Sequence, residues 1–281
     1  LGMIKAKYDG HRFAPRQAET VYNPVSVGSF FFNGGIDFDN YWVNTGTMKL
    51  LMDVARKVRF DITKDAAKAI SKDSIAVFDI LDMAKKDISL TAYRSLLFQT
   101  GYLTITGTAD STGKVLSLDF PNEEVSEAYS ESLLGLYAGD DAAECFRISG
   151  IIGCFREGNT EEAIGIIKSV YEAIPYDLSR NADELYYSTV FFSVLKALGA
   201  EIGTEIETKR GRADAVLRAE GHIYVIEFKY DGSADEALRQ IHEKGYAEQF
   251  IPERNKKTVH LAGINFSSAD RNISEWKEEI L

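Results

Sequence analysis

"GRADAVLRAEGHIYVIEFKY", residues 211–230, carries a strand-like apolar run from His222 to Ile226 that continues into Glu227 and Lys229, where burial should be deepest. An unpaired charge inside a sheet costs several kcal/mol, so the placement needs a reason. Side chains alternate across a strand, which puts Glu227 and Lys229 on one face. Glu220-Gly221 reads as a tight connection to the preceding strand "RADAVLRA", and the antiparallel turn brings Asp214 alongside. One face of the sheet then presents two carboxylates and an ammonium together.

Two carboxylates with open coordination positions suit Mg²⁺, a hard ion that prefers oxygen ligands and keeps several waters. A neighbouring lysine can orient an attacking water and help stabilise charge developing on a phosphoryl group. These are the parts needed to hydrolyse a phosphodiester.

The flanking sequence supplies an ordered series. "NADELYYSTVFFSVLKALG" reads as a helix capped by Asn181 and closed by Gly199, followed by the strand "GTEIETKR". After Tyr230, Ser233 and Glu236 form a capping box that opens the helix "SADEALRQIHEKGYAEQF", and "KTVHLAGINF" is a further strand. The order is helix, three strands, helix, strand, an α/β arrangement written αβββαβ. Tyr186, Tyr187, Phe191 and Phe192 are core positions of the first helix rather than base-stacking platforms.

Upstream, "DITKDAAKAISKD" and "SLTAYRSLLFQTG" have helical spacing, the second closing at Gly101. "YLTIT" and "KVLSLDF" alternate around "GTADSTG" as a hairpin, and a helix follows from Pro121 to Gly139. Helix, helix, hairpin, helix is compatible with a winged-helix-like module, a lid or docking piece as readily as a DNA binder. "GTADSTGK", Gly107 to Lys114, imitates a phosphate-binding loop. It has one residue too many between its glycines, and Val115 stands where Mg²⁺ would need a hydroxyl. "TEEAIGIIKSVYEAIPYDL" reads as an amphipathic helix with Thr160 as its N-cap. In residues 1–60 the apolar groups Val25, Val27, Phe30 and Phe31 have no complete layered unit in which to be buried, and the chain opens on Leu1, which suggests a trimmed start. The expected parts are 1–60, 61–142 and 143–281, with the last boundary near "AGDDA".

Composition narrows the function classes. No apolar run approaches the roughly 20 residues that span a bilayer, and no signal-peptide pattern opens the chain, so a cytoplasmic protein without a membrane partner is expected. Cys145 and Cys154 fit neither a disulfide framework nor a metal motif, and His11, His222, His242 and His260 lack zinc-ligand spacing. The net charge is −11, with 13 Lys and Arg against 18 Asp and Glu in residues 181–281. That balance excludes broad electrostatic attraction to nucleic acid and leaves only a local patch or a metal-assisted contact.

Gly211-Arg-Ala-Asp214 followed by Glu227-Phe-Lys229, within αβββαβ order, resembles the PD-(D/E)XK nuclease superfamily. More narrowly, "GRADAV", "IYVIEFKYDGSADEALRQIHEKGYA" and "GINFSSADRNISEW" are similar to the branch at the C-terminus of bacterial AAA-ATPase-like proteins. "YDGHRF…VYNPVSV" and "LLFQTGYLTI" resemble the end of its ATPase-like part, without the phosphate-binding loop that ATP hydrolysis needs. The resemblance implies a restriction-endonuclease-like core in 143–281, a winged-helix-like or lid module in 61–142 and an ATPase-like remnant in 1–60. It implies Asp214 and Glu227 as carboxylates for Mg²⁺ (or Mn²⁺), with Glu184 completing the metal site. Lys229 would be the catalytic lysine, Gln240 a polar residue facing the site, and Arg212 a phosphate ligand. The implied partner is nucleic acid, DNA before RNA, with an ATPase as a second partner.

Other readings of the same residues stay open. Asp214 can pair with Arg212 or Lys229 as a surface ion pair. Glu184 stands three residues after Asn181, where a capping-box glutamate belongs. Gln240 and Lys244 lie one turn apart and can form a solvated face. The whole domain can equally be a catalytically silent module that binds nucleic acid or docks an ATPase.

Overall fold

The structure is a computed structural model that describes residues 2–15, 19–42, 48–62, 65, 69–75, 88–139, 150–179, 182–208 and 211–281, with 204–208 by their backbone. The chain divides into two compact units, Leu1–Ser132 and Leu133–Leu281.

The first unit opens with α1 (Gly2–Tyr8), α2 (Pro24–Phe32) and α3 (Met48–Val58). Asn23 caps α2 by accepting from the N–H groups of Val25 and Ser26, and Pro24 sits at the first helical position, where no donor is needed. The helix buries Phe30 while Phe31 and Phe32 face solvent, so only part of the apolar content of residues 1–60 finds a core. Next come β1 (Ile70–Ser71), α4 (Lys72–Ile75), α5 (Leu90–Gln99), β2 (Thr104–Thr108), β3 (Val115–Asp119) and α6 (Glu123–Ala138), whose residues from Leu133 onward belong to the second unit. β3 lies between β1 and β2, antiparallel to both. The helical spacing of "DITKDAAKAISKD" misleads at its end: Ile70 and Ser71 are strand, because pairing with Leu116 and Val115 buries Ile70. Residues 63, 64 and 66–68 of that stretch lie outside the described residues. Of the segment from Gly107 to Lys114, Gly107 and Thr108 are the end of β2 and residues 109–114 connect it to β3, with Asp110 accepting from the Val115 N–H.

The second unit begins with α7 (Ile151–Glu157), α8 (Thr160–Ala173) and α9 (Tyr176–Ser179). Its core is α10 (Glu184–Ala197), β4 (Glu201–Thr208), β5 (Gly211–Ala219), β6 (His222–Tyr230), α11 (Ala234–Lys244) and β7 (Thr258–Ser267). This αβββαβ succession is the expected restriction-endonuclease-like α/β fold. A fifth strand, β8 (Asn272–Ile280), follows antiparallel on the edge of the sheet, which runs β4-β5-β6-β7-β8. The central pair β6–β7 is parallel, with α11 as the crossover. β8 escaped the sequence reading because charged residues interrupt it at Glu275, Lys277, Glu278 and Glu279, as suits an exposed edge.

Two helix starts differ from expectation by one or two residues. Asn159, not Thr160, caps α8, since its side chain accepts from the Glu162 N–H, and Thr160 turns inward instead. Asp183 caps α10 by accepting from the Tyr186 N–H. That makes Glu184 the first helical residue and removes the capping-box reading; Asn181 lies outside the described residues, as do Cys145 and the boundary near 140–145.

The two faces of β6 bury different material. Ile223 and Val225 face α11 and join a cluster with Leu238, Ile241, Tyr246, Phe250, Val259 and Leu261. On the other face Phe228 packs against Phe191, and the Tyr224 hydroxyl donates to the Phe155 carbonyl at 2.8 Å. That second face also holds a polar chain. His222 Nδ1 and His260 Nε2 lie 2.8 Å apart, His260 Nδ1 is 2.5 Å from Glu278 Oε1, and Thr160 Oγ1 donates to the same oxygen at 2.8 Å. Two imidazole nitrogens facing each other hold one proton between them, so the chain ties β6, β7, β8 and α8 together only while the pair is not doubly charged.

Gly263 fixes how closely α11 can lie on the sheet. A Cβ there would stand 2.4 Å from the Ala234 carbonyl oxygen and 3.0 Å from the Ala237 Cβ. Gly263→Ala is therefore expected to lower unfolding free energy by about 2 kcal/mol, the usual cost of overpacking. A urea melt that leaves the midpoint unchanged would show that α11 docks less tightly than this.

Candidate functional site

The β5–β6 ladder runs from Ala219–His222 to Ala215–Ile226. Beyond it the Phe228 N–H donates to Asp214 Oδ2 at 2.8 Å, so a side chain takes the donor that a neighbouring backbone would otherwise take. Asp214 and Glu227, the next residues along each strand, stand at that end of the pairing. Arg212, two residues before Asp214 and on the same face by alternation, is exposed and pairs in register with Glu207.

Glu227 is 2 % exposed. Its Oε1 accepts from Lys229 Nζ at 3.3 Å and from Gln240 Nε2, while its Oε2 is buried with no hydrogen-bond partner. Burial raises the Glu227 pKa to about 7, the Asp214 charge adds to the rise, and Lys229 opposes it. The residue therefore behaves as a carboxyl that gains its full charge only above neutrality, unless a cation arrives.

Lys229, 26 % exposed in its side chain, also donates to the Phe228 carbonyl at 3.0 Å and to Gln240 Oε1 at 2.9 Å. Three donors thus meet three acceptors. Gln240 reaches this far because α11 lies close over Gly263, which pairs directly with Glu227 in the sheet. It faces the site, and the alternative of a solvated face shared with Lys244 is set aside.

Two contributors were not read from the sequence. The buried Tyr246 hydroxyl lies 3.2 Å from Gln240 Nε2 and accepts its second N–H. With Glu227 and Tyr246 both on the donor side of the amide, its oxygen must turn toward Lys229. Gly211, at φ 151°, makes room for Tyr246, since a Cβ there would stand 3.2 Å from the tyrosine oxygen. The signal was the glycine that opens "GRAD", but nothing in a linear sequence says which ring fills the space.

Glu184 stands exposed in the first turn of α10. Among the described residues no group of three or more His, Cys, Asp or Glu side chains is arranged to hold a metal ion, so Glu184 is not gathered with Asp214 and Glu227. His222 and His260 meet, yet their shared contact is a hydrogen bond within the polar chain. Among the described residues no helix is long and apolar enough to cross a membrane.

Comparison with known proteins bears on this half of the chain. The sequence model of the PD-(D/E)XK nuclease superfamily matches residues 182–276, which contain every residue of the site. Across 287 aligned residues the chain is 29 % identical to a protein of Azotobacter chroococcum mcd 1, named "Uncharacterized protein in vnfD 5'region". The match covers 99 % of this chain and 52 % of that protein, so the chain spans about half its relative's length. No solved structure matches the chain significantly.

Because Glu227 is more protonated in the folded protein than in the unfolded chain, the fold loses stability as pH rises from about 4.5 to about 7. The loss from this residue is on the order of 3 kcal/mol. A cation bound at its unpartnered oxygen must displace the proton. Titration calorimetry with Mn²⁺ near pH 6.5 is expected to show proton release, read from buffers of different ionisation enthalpy, and affinity rising toward pH 8. Binding without proton release would mean that Glu227 is not a ligand.

Proposed function

We propose that this chain hydrolyses nucleic-acid phosphodiesters with the help of Mg²⁺ or Mn²⁺, held by Asp214 and Glu227. The observation that carries the proposal is the buried, unpartnered Oε2 of Glu227 beside a second carboxylate and a lysine. A buried carboxylate oxygen with no donor is costly, and a hard divalent cation is the partner that suits it. When bound, such an ion supplies Lewis-acid polarisation of the phosphoryl group.

The chain's own residues do the rest. Lys229 keeps its ammonium at the site through its bonds to Gln240 and the Phe228 carbonyl. Its contact with Glu227, at 3.3 Å the longest of the three, is the one that an entering water or phosphoryl oxygen can take over. Gln240 holds Lys229 and Glu227 in one orientation, so neither must reorganise as charge develops. Arg212, exposed on the same face as Asp214, is placed to meet a neighbouring phosphate. Glu184 is left without a metal role in this reading.

The first unit enters the proposal as an accessory. Its order α3-β1-α4-α5-β2-β3, with β3 in the middle of the sheet, supports reading it as a winged-helix-like module. The resemblance of residues 1–60 to an ATPase-like region, with a relative twice as long, supports a docking role beside such a domain or an ATPase partner. A second reading has one observation in its favour, the net charge of −11. In it the fold binds nucleic acid or its partner without cutting.

Purified protein is expected to cut DNA in Mg²⁺ or Mn²⁺, and Asp214→Asn and Lys229→Met are each expected to slow cleavage by about a hundredfold or more. Both variants should still unfold cooperatively. Cleavage that survives both substitutions unchanged would remove the site from the reaction, and Asp214-dependent Mn²⁺ binding with no cleavage of any substrate would favour the second reading.

A further inference from the structure

Tyr176, the first residue of α9, is 61 % exposed, and it is the exposed aromatic ring among the described residues of the second unit. The Arg271 guanidinium lies 4.7 Å from the centre of its ring and donates to Ser179 Oγ at 3.5 Å. One face of the tyrosine is thus backed by a cation, and the rest of the ring is open to water. Arg271 holds this place from a backbone at φ 53°, a left-handed conformation that is unfavourable for a side chain of this size. Its N–H closes the β7–β8 turn on the Ser267 carbonyl at 2.8 Å.

The pair belongs to the end of the sheet that carries the carboxylates. Lys229 and Tyr230 lie opposite Asn265 and Phe266, immediately before the Arg271 turn. Asp231 accepts from the Ser268 N–H at 2.8 Å, which joins the end of β6 to that turn. Tyr230 donates to the Ala182 carbonyl at 2.9 Å and packs on Tyr187, near enough to Arg271 and Asp231 for both charges to act on the Tyr187 hydroxyl. Tyr230 thus leads, on the face of β6 opposite to Glu227 and Lys229, through Tyr187 toward the Arg271 turn and Tyr176. Along β7 the Arg271 turn begins four residues, about 13 Å at about 3.3 Å per residue, beyond Gly263, the partner of Glu227.

An open aromatic face with a guanidinium behind it accepts a planar base of any identity. A duplex keeps its bases stacked on one another and has none to offer. Asp177 and Asp270 adjoin the two residues in sequence and repel phosphates, so ring stacking rather than charge must supply the contact. That suits a protein whose net charge is −11 and which cannot draw in a duplex backbone by its overall field.

We propose that Tyr176, backed by Arg271, stacks an unpaired base, and that single-stranded or locally unpaired nucleic acid is the substrate class of the neighbouring carboxylate site. The identity of the polymer rests on the function proposed above. The test measures fluorescence anisotropy of the full chain in Ca²⁺ with a labelled oligothymidylate and with a duplex of equal length. The wild-type protein is expected to prefer the single strand. Tyr176→Ala should weaken that binding about tenfold, Tyr176→Phe should keep it, and neither should change the duplex affinity or the melting temperature. If Tyr176→Ala binds the single strand like wild type, the platform is wrong and the carboxylate site is untouched. Equal wild-type affinity for strand and duplex overturns the substrate class, and no binding of either polymer overturns the function on which the proposal rests.

Discussion

Burying Glu227 beside Asp214 would cost the fold more than an ordinary core position if the carboxylate met only apolar neighbours. Gln240 and Lys229 reduce that cost by meeting one oxygen, and they reach it because Gly263 leaves space for α11 to lie against the sheet. The other oxygen stays without a donor. Close packing by a glycine, the reach of a glutamine and the incomplete solvation of a carboxylate are thus successive consequences of one arrangement. In the proposed function, a bound cation would relieve that incomplete solvation.

The opposite face of the same strand shows the contrary electrostatics. Burial and the neighbouring His260 lower the His222 pKa against the pull of Glu278. Burial alone would raise the Glu278 carboxyl, but hydrogen bonds from His260 and Thr160 outweigh it and the net shift is downward. Both groups therefore lose stability as the solution is acidified, His222 below about 6.5 and Glu278 below about 4.5. Glu227 runs the other way. The His222 dependence therefore opposes that of Glu227 below about pH 6.5, whereas that of Glu278 acts below about 4.5, outside the Glu227 window.

Much of the second unit could be read from sequence because its signals are local. Alternation in "HIYVIEFKY", the Glu220-Gly221 turn and the Ser233 cap each fix structure within a few residues, and Asp214, Glu227 and Lys229 follow from the period of a strand. Gln240 came from resemblance, and the structure shows why it is there. What sequence could not show depends on distant partners: Tyr246 over Gly211, Gly263 beneath α11, and the meeting of His222, His260 and Glu278 from three strands. The edge strand β8 was hidden by its own charges. The end of "DITKDAAKAISKD" was misread because two residues of strand are too few to show a period, and Ile70 serves a helical pattern and a strand pair equally well. Glu184 as a metal residue came from resemblance alone; its rival reading as a capping-box partner of Asn181 fails because Asp183 is the cap and Glu184 the first helical residue.

The parallel pairing of β6 with β7 has a kinetic corollary. β5 and β6 meet through a two-residue turn, so the strands bearing Asp214 and Glu227 can come together with little loss of chain entropy. His222 and Thr258 are partners across 36 positions of sequence, with α11 between them, and contacts so far apart form slowly. Until that crossover closes, neither Gln240 nor the covering helix is in place, and both carboxylates are hydrated and ordinary. The raised pKa of Glu227 is thus a property of the closed crossover, absent from the β5–β6 hairpin that already carries Asp214 and Lys229.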